Sequence, residues 1–97
     1  MSLPGKAGIT FDVINRDRPV PPYLQLAAII RGQAESGELA PGTRLPSIVD
    51  LAGQYGIAVP TVRKAIEVLK REGVVVTHQG YGTFISEDAG GSPPPGT

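Results

Sequence analysis

The chain has no cysteine, no tryptophan and a single histidine among its 97 residues. The absence of cysteine excludes a disulfide framework and a thiolate metal site. One histidine, His78, is too few for a histidine metal cluster and argues against a histidine-centred catalytic triad, so we interpret it as a strand residue rather than a ligand. We therefore expect no metal and no cofactor.

Long apolar runs are also missing. Nowhere does the sequence approach 18 consecutive apolar residues, and residues 1–8 lack the charged start and apolar core of a signal peptide. We expect no membrane span, and a soluble chain that works in the cytoplasm. The length of 97 residues and an apolar content of 40% indicate one small domain with a modest core.

An excess of positive charge is missing as well. Nine basic residues balance nine acidic ones, whereas a DNA-binding domain is usually basic. The balance differs locally, because residues 44–85 contain five basic and three acidic residues. This small surplus predicts weak rather than absent electrostatic attraction to nucleic acid.

A short helix is indicated from Ser47. Ser47 and Asp50, three residues later, form a capping box, in which the hydroxyl accepts from a backbone N–H of the first turn. Gly56 is the residue type that ends a helix in the left-handed conformation. The apolar residues in between repeat at helical spacing: Ile48, Leu51, Ala52 and Tyr55. The pattern predicts a helix of about two turns that stops at Tyr55.

A second, longer helix is indicated over about residues 60–72. Lys70 and Arg71 in its last turn favour the negative end of the helix dipole. Residues 56–59 make a connection of the length that sets two helices roughly 90 to 120° apart. The apolar stripe of the second helix consists of Val62, Ala65, Ile66 and Leu69. Together the two helices form a helix-turn-helix.

The pattern changes to a β type after Gly73. Residues 74–78 are a largely β-branched run, residues 79–82 (QGYG) a turn, and residues 83–85 a second strand. Gly80 and Gly82 permit positive φ and leave room for a phosphate backbone, although a tight hairpin needs glycine for structural reasons too. The predicted fold is mainly α with a small β-hairpin: a winged helix-turn-helix of three helices plus a two- to three-stranded antiparallel wing.

The first of the three helices lies upstream. Its apolar face comprises Tyr23, Leu26, Ala27, Ile30 and Ala34, and Gly37 ends it. We expect it to pack across the other two helices. Residues 20–86 then form the domain. Residues 1–19 are an N-terminal arm with a short edge strand expected at 9–13, and residues 87–97, rich in glycine and proline, are expected to be a disordered tail or a truncated linker.

Four segments, in this order, carry a family resemblance: Tyr23-Leu24-Gln25-Leu26, residues 36–47 (SGELAPGTRLPS), residues 61–66 (TVRKAI) and residues 79–85 (QGYGTFI). Together they resemble the winged-helix domain of the GntR family of bacterial transcription regulators, over about residues 20–86. The resemblance implies a repressor or an activator, of which we expect a repressor, that binds double-stranded operator DNA as a dimer. Full-length members also carry a C-terminal effector or dimerisation domain, so an effector site is expected to be absent from this chain.

Two departures from the family pattern affect the residues that read DNA. Family members commonly have an acid and then an arginine after the Leu-Pro-Ser motif, where this chain has Ile48 and Val49, and another arginine before the recognition helix, where it has Val59. A valine cannot donate to guanine, but it can contact a thymine methyl or a protein partner. Of the usual arginine readers Arg63 remains, with Thr61 beside it.

The candidate DNA-contacting residues lie in the predicted recognition helix and the turn before it, at or just ahead of the start of the preceding helix, and in the wing. Arg63 is placed over base edges or flanking phosphates, with a solvated surface charge as the alternative. Arg44 and Lys64 are placed at phosphates. The wing tip of residues 79–81 is placed at the minor groove or at a phosphate, with a surface aromatic as the alternative for Tyr81. The full set is Arg44, Ser47, Val49, Val59, Pro60, Thr61, Arg63, Lys64, Gln79, Gly80 and Tyr81.

Two rival classes stand against a DNA-binding regulator. The first is a protein-interaction winged-helix module with little DNA affinity, which would dock a partner through an apolar patch of Ile48, Val49 and Val59. The second is an enzyme. We expect none, because Ser47 is explained as a helix cap and the carboxylates of Asp50, Glu67 and Glu72 have no base, metal set or phosphate loop to work with.

Overall fold

The computed structural model describes residues 13–87. Within this range the chain forms three helices followed by one antiparallel hairpin, as predicted. The elements are α1 (Pro22–Ser36), α2 (Ile48–Tyr55), α3 (Val59–Arg71), β1 (Val75–His78) and β2 (Gly82–Ile85). The edge strand expected at 9–13 and the tail expected at 87–97 lie outside the described residues, apart from Val13, which is exposed at a bend, and Glu87.

Helix α1 begins at a run of prolines. Pro21 is the N-cap and Pro22 the first helical residue, a place where proline is favoured because its fixed φ suits the helix and its missing N–H would have no intrahelical partner. Gly37 follows as the C-cap. The helix packs mainly along α3, and its buried residues are Gln25, Leu26, Ala27, Ile29, Ile30 and Ala34.

Helix α2 has the Ser47 half of the predicted capping box. The Ser47 hydroxyl accepts from the backbone N–H of Asp50 at 3.0 Å, which places Ser47 at the N-cap and Ile48 at the first helical position. Gly56 ends the helix with φ 66°, in the left-handed region where a side chain is strained. The helix buries Leu51 and Ala52 against α3.

Helix α3 begins one residue earlier than predicted and ends one residue earlier. Val59, expected in the turn, is its first residue, and Glu72, expected inside the helix, is the C-cap. Pro60 does not delay the start, because the N–H groups of a first helical turn have no intrahelical acceptor to lose. Val59 is half-buried and packs against the core.

The wing is a two-stranded hairpin with a third segment attached by a single bridge. Its strands pair with His78 opposite Gly82 and Val75 opposite Ile85. Beyond β2, Arg44 bridges to Phe84, the Leu45 N–H donates to the Thr83 carbonyl at 2.8 Å, and the Ile85 N–H donates to the Thr43 carbonyl at 2.8 Å. The loop before α2 is thereby joined to the wing.

One apolar core connects all five elements. Its largest fully buried side chains come from α1, α3 and both strands: Leu26, Ile30, Leu69, Ile85, Val62 and Val75. Each such side chain contributes about 1.5 to 3 kcal/mol by leaving water. None of the described helices is both long enough and apolar enough to cross a bilayer.

Candidate nucleic-acid interface

The N-terminal half of α3 presents positive charge to solvent. Val62, Ala65 and Ile66 are buried in the core, which turns Pro60, Arg63 and Lys64 outward, all three exposed. Thr61 is half-buried between them. Further along the same helix Glu67 lies 3.6 Å from Lys70, an exposed pair of opposite charges, and Arg71 is the last helical residue. The first two turns of α3 therefore carry two basic residues and no acidic one.

Lys64 has a partner inside the protein. Its ammonium lies over the Tyr23 ring, 4.9 Å from the ring centroid, an attractive cation–π geometry. Tyr23 belongs to the second position of α1, so this contact joins the start of α1 to the outer side of α3. The contact favours this position of the Lys64 ammonium, and the residue stays accessible to solvent.

The residues at the two departures from the family pattern differ in their exposure to solvent. Val49 on α2 is 69% exposed, as the sequence reasoning assumed. Ile48 and Val59 are half-buried and pack against the core, so the expected exposed patch of three residues is wrong. The reason is helical periodicity: with α3 starting at Val59, this residue lies one turn before Val62 and shares its inward side.

Arg44 lies at the junction of the α2 lead-in and the wing. Its backbone bridges to Phe84, and its guanidinium lies so close to Gly82 that a Cβ there would be 2.9 Å from Nε of Arg44. The side chain of Arg44 is exposed. Glycine at position 82 thus leaves space for this cation, in addition to adopting the positive φ of 119° that the backbone has there.

The wing tip is open to solvent. Gln79 and Gly80 are exposed, and Tyr81 is 72% exposed, while the Tyr81 N–H donates to the His78 carbonyl at 2.8 Å to close the turn. His78 contacts the Phe84 ring edge to face at 5.3 Å between ring centroids, on the outer side of the hairpin. His78 thus lies in a strand, as the sequence predicts.

Across the described residues there is no group of three or more histidine, cysteine, aspartate or glutamate side chains suited to a metal ion.

The structure places the candidate residues in two groups on the surface. One comprises the exposed residues of α3 with Thr61 beside them, and the other comprises Arg44 with the wing tip. Ser47 is exposed and its oxygen already accepts the α2 capping bond, although its hydroxyl hydrogen remains available as a donor. Val49 lies on α2, and Val59 is turned partly into the core.

Two residues that the sequence reasoning did not assign are prominent in the structure. Gln25 is 5% exposed and bonds to the chain before α1, and Arg16 bonds to the turn between α2 and α3. A polar residue within the apolar stretch of α1 was the available signal for Gln25. No local sequence pattern indicates a role for Arg16, because its hydrogen-bond partner lies 40 residues further along the chain.

A helix-turn-helix whose second helix is flanked by a β-hairpin defines the winged helix-turn-helix class. Residues 22–85 match the model of the bacterial regulatory proteins of the gntR family. The chain belongs to this family, and its described part is the family's winged-helix DNA-binding domain.

A named relative supports this assignment. The chain is 40% identical over 74 residues to the HTH-type transcriptional repressor NagR of Bacillus subtilis (strain 168), covering 76% of this chain and 30% of NagR. The chain therefore spans less than a third of that relative.

Solved structures agree as well. YtrA from Sulfolobus acidocaldarius, a GntR-family transcription factor, superposes with a TM-score of 0.71 at 37% identity, over 75% of this chain and 77% of that one. The AraR(DBD) in complex with operator ORX1 superposes with a TM-score of 0.70 at 29% identity, over 75% of this chain and 94% of that one.

Proposed function

We propose that this domain inserts the first two turns of α3 into the major groove of an operator and lays the wing against the adjacent backbone. The observation that carries the proposal is the placement of Arg63 and Lys64 on the outer side of α3 while the opposite side is buried in the core. In helix-turn-helix proteins the N-terminal residues of the second helix contact base edges. The operator-bound AraR domain, with its TM-score of 0.70, supports operator DNA as the partner.

Base readout is assigned to three residues. Arg63 can donate two hydrogen bonds to guanine O6 and N7, and Thr61 beside it can bond to either base type. Val49, exposed on α2, suits a thymine methyl group. Val59 is a weaker candidate for base readout, because its side chain is half-buried and packs against the core.

Phosphate contacts are assigned to residues around this centre. Lys64 is held outward over Tyr23, and Arg44 and the wing tip of residues 79–81 flank the other side. The hydroxyl of Ser47 can donate at the start of α2. The N-terminus of α3 has no side-chain cap and no acidic residue in its first turn, which leaves the positive end of the helix dipole available to a phosphate.

The biological role follows from the relatives. NagR is named a repressor, and we propose repression for this chain as well. We propose that two copies of this domain occupy adjacent half-sites, about 10 base pairs apart or a multiple of that, and that DNA brings them together. Such a regulator works in the cytoplasm without membrane contact, needs no cofactor and catalyses no reaction, and any effector binds outside this chain.

The rival proposal, a protein-docking module, has less support from the structure than from the sequence. It needed three exposed apolar side chains, and of these Val49 alone is largely exposed while Ile48 and Val59 pack against the core. A single exposed valine is ordinary for a protein surface. Nothing in the described residues favours protein docking over DNA binding.

The test is the salt dependence of binding to sites selected from a genomic library with the immobilised protein. We expect about 3 to 6 phosphate contacts per domain, and log K falls by about 0.9 per contact for each unit of log salt concentration. The selected fragments also report half-site spacing. A slope near zero, with no enrichment of any sequence, would refute the proposal and leave protein docking as the better explanation.

A further inference from the structure

The chain before α1 is held by a buried glutamine. The Gln25 side-chain oxygen accepts from the Asn15 N–H at 2.8 Å, and its amide nitrogen donates to the carbonyls of Asn15 and Val20, each at 2.8 Å. Gln25 is 5% exposed, so these bonds take the place of water that the amide has lost. Three bonds to one buried side chain fix the path of residues 15–20 along the start of α1.

The same segment is braced locally. The Asn15 side-chain oxygen accepts from the Asp17 N–H at 2.9 Å, an Asx-turn, and the Arg18 N–H donates to the Asn15 carbonyl at 3.3 Å. Ile14, just before it, is half-buried against the core. Residues 14–18 therefore have a defined conformation. From here on, "the arm" means these five residues of the longer N-terminal arm.

From this arm Arg16 reaches the helix-turn-helix. Its guanidinium Nη2 donates to the carbonyl of Gly56 at 2.5 Å. Gly56 is the C-cap of α2, and α3 begins three residues later at Val59. The bond therefore ends on the short connection that sets the angle between the two helices.

We propose that the arm is a strut that fixes the α2–α3 turn, and that Arg16 is a positioning residue for operator binding, acting through the Gly56 carbonyl. Readout of base edges requires the side chains of α3 to be held within a fraction of an ångström, so support from residues that do not touch the ligand matters. The anchor of this strut is Gln25. Arg16 itself needs no contact with DNA.

Arg18 provides the matched control. It is an exposed arginine in the same arm, two residues from Arg16, and within residues 13–87 its side chain has no hydrogen-bond partner. Arg16→Ala and Arg18→Ala therefore remove the same charge from nearly the same place. Only the first removes the bond to the turn.

The first experiment measures the affinity for a selected operator over a range of salt concentrations. This part of the inference rests on the proposed function. Arg16→Ala is expected to weaken binding about 3- to 10-fold, the range expected from one hydrogen bond. The log–log salt slope should equal that of the original protein, because no phosphate contact is lost. Arg18→Ala should change affinity less, and Arg16→Lys, which retains a donor of similar reach, should restore most of the loss.

A second measurement uses the protein without DNA. The amide of Ile57 donates to the Ala52 carbonyl across the turn, so its hydrogen exchange reports on this connection. Arg16→Ala should speed exchange at Ile57 without changing exchange in the wing, and Arg18→Ala should leave both unchanged.

Three results would overturn the strut. A slope reduced by about 0.9 in Arg16→Ala would make Arg16 a direct phosphate contact. Equal losses in Arg16→Ala and Arg18→Ala would make it a surface charge, and unchanged exchange at Ile57 would remove the mechanical link. If the original protein binds no DNA while exchange at Ile57 still rises in Arg16→Ala, the proposed function fails and the strut stands.

Discussion

Arg44 and Gly82 are matched in space: the arginine guanidinium occupies the volume where a side chain of residue 82 would begin, with 2.9 Å between Nε of Arg44 and a Cβ at position 82. Gly82 also has φ 119°, a conformation that other residues adopt only with strain. The two residues are adjacent where the lead-in of α2 is joined to the wing by the backbone bridge from Arg44 to Phe84.

Gly82→Ala is expected to have two separable effects. The positive φ costs on the order of 1 to 3 kcal/mol of folding free energy. The added methyl also displaces the Arg44 guanidinium, which should lower operator affinity. Gly80→Ala is the control for stability, because Gly80 has φ 86° but open space around it.

The link to Arg44 is tested by a double-mutant cycle on operator binding. If Gly82→Ala acts through Arg44, it should cause little further loss of affinity in an Arg44→Ala background. Equal losses in both backgrounds would show that Gly82 affects binding by another route, such as the shape of the wing.

Arg63→Ala should cost roughly 1 to 3 kcal/mol of binding to a selected operator and leave thermal stability unchanged, because Arg63 is exposed and its proposed role is base readout. Arg71→Ala is the matched control, since Arg71 is an exposed arginine in the last turn of the same helix. Fluorescence anisotropy with the selected site measures both. Equal affinities of the two variants would place Arg63 on a solvated surface.

The elements of the fold could be predicted because their signals are local. The Ser47 cap, the apolar spacing of α2 and α3 and the glycines of the hairpin each act within a few residues. The exposure of Ile48 and Val59 was predicted wrongly: Ile48 lies one turn before the buried Leu51, and Val59 one turn before the buried Val62, so both side chains reach the core. How far the first side chain of a helix is buried is decided by packing against the rest of the core.

The contacts that hold the candidate site in place could not be predicted from local patterns. Arg16 and Gly56 are 40 residues apart, and Tyr23 and Lys64 approach each other only because α1 packs along α3. The lysine and the arginine were visible as charges in the sequence. Their partners were not, because a partner is set by the packing of helices and leaves no periodicity.

Two helical glycines offer a gain in stability. Gly32 in α1 and Gly53 in α2 are exposed, and a Cβ at either position would meet nothing within 4 Å. Alanine in a helix interior is favoured over glycine by about 0.5 to 1 kcal/mol, because glycine loses more backbone freedom on folding. Gly32→Ala and Gly53→Ala should each raise the midpoint of thermal unfolding. A lowered midpoint would mean that these helices are not formed as described.

Val49→Arg and Val59→Arg, which would restore arginine at the two departures from the family pattern, should now behave differently from each other. Val49 is 69% exposed on α2, so Val49→Arg should leave stability nearly unchanged, raise general DNA affinity by adding a cation, and shift the selected sites toward guanine at the position it reaches. Val59 packs against the core, so Val59→Arg should lower stability by loss of that packing.

The measurement for this pair combines thermal unfolding with site selection by each variant. If Val49→Arg raises affinity but selects the same sequence as the original protein, Val49 lies beside the phosphate backbone rather than over the bases. If Val59→Arg unfolds at the same temperature as the original, the half-buried placement of Val59 is wrong, and its family-like role in the groove regains support. A changed site selection in Val49→Arg and a changed stability in Val59→Arg are what the exposure of Val49 and the core packing of Val59 predict.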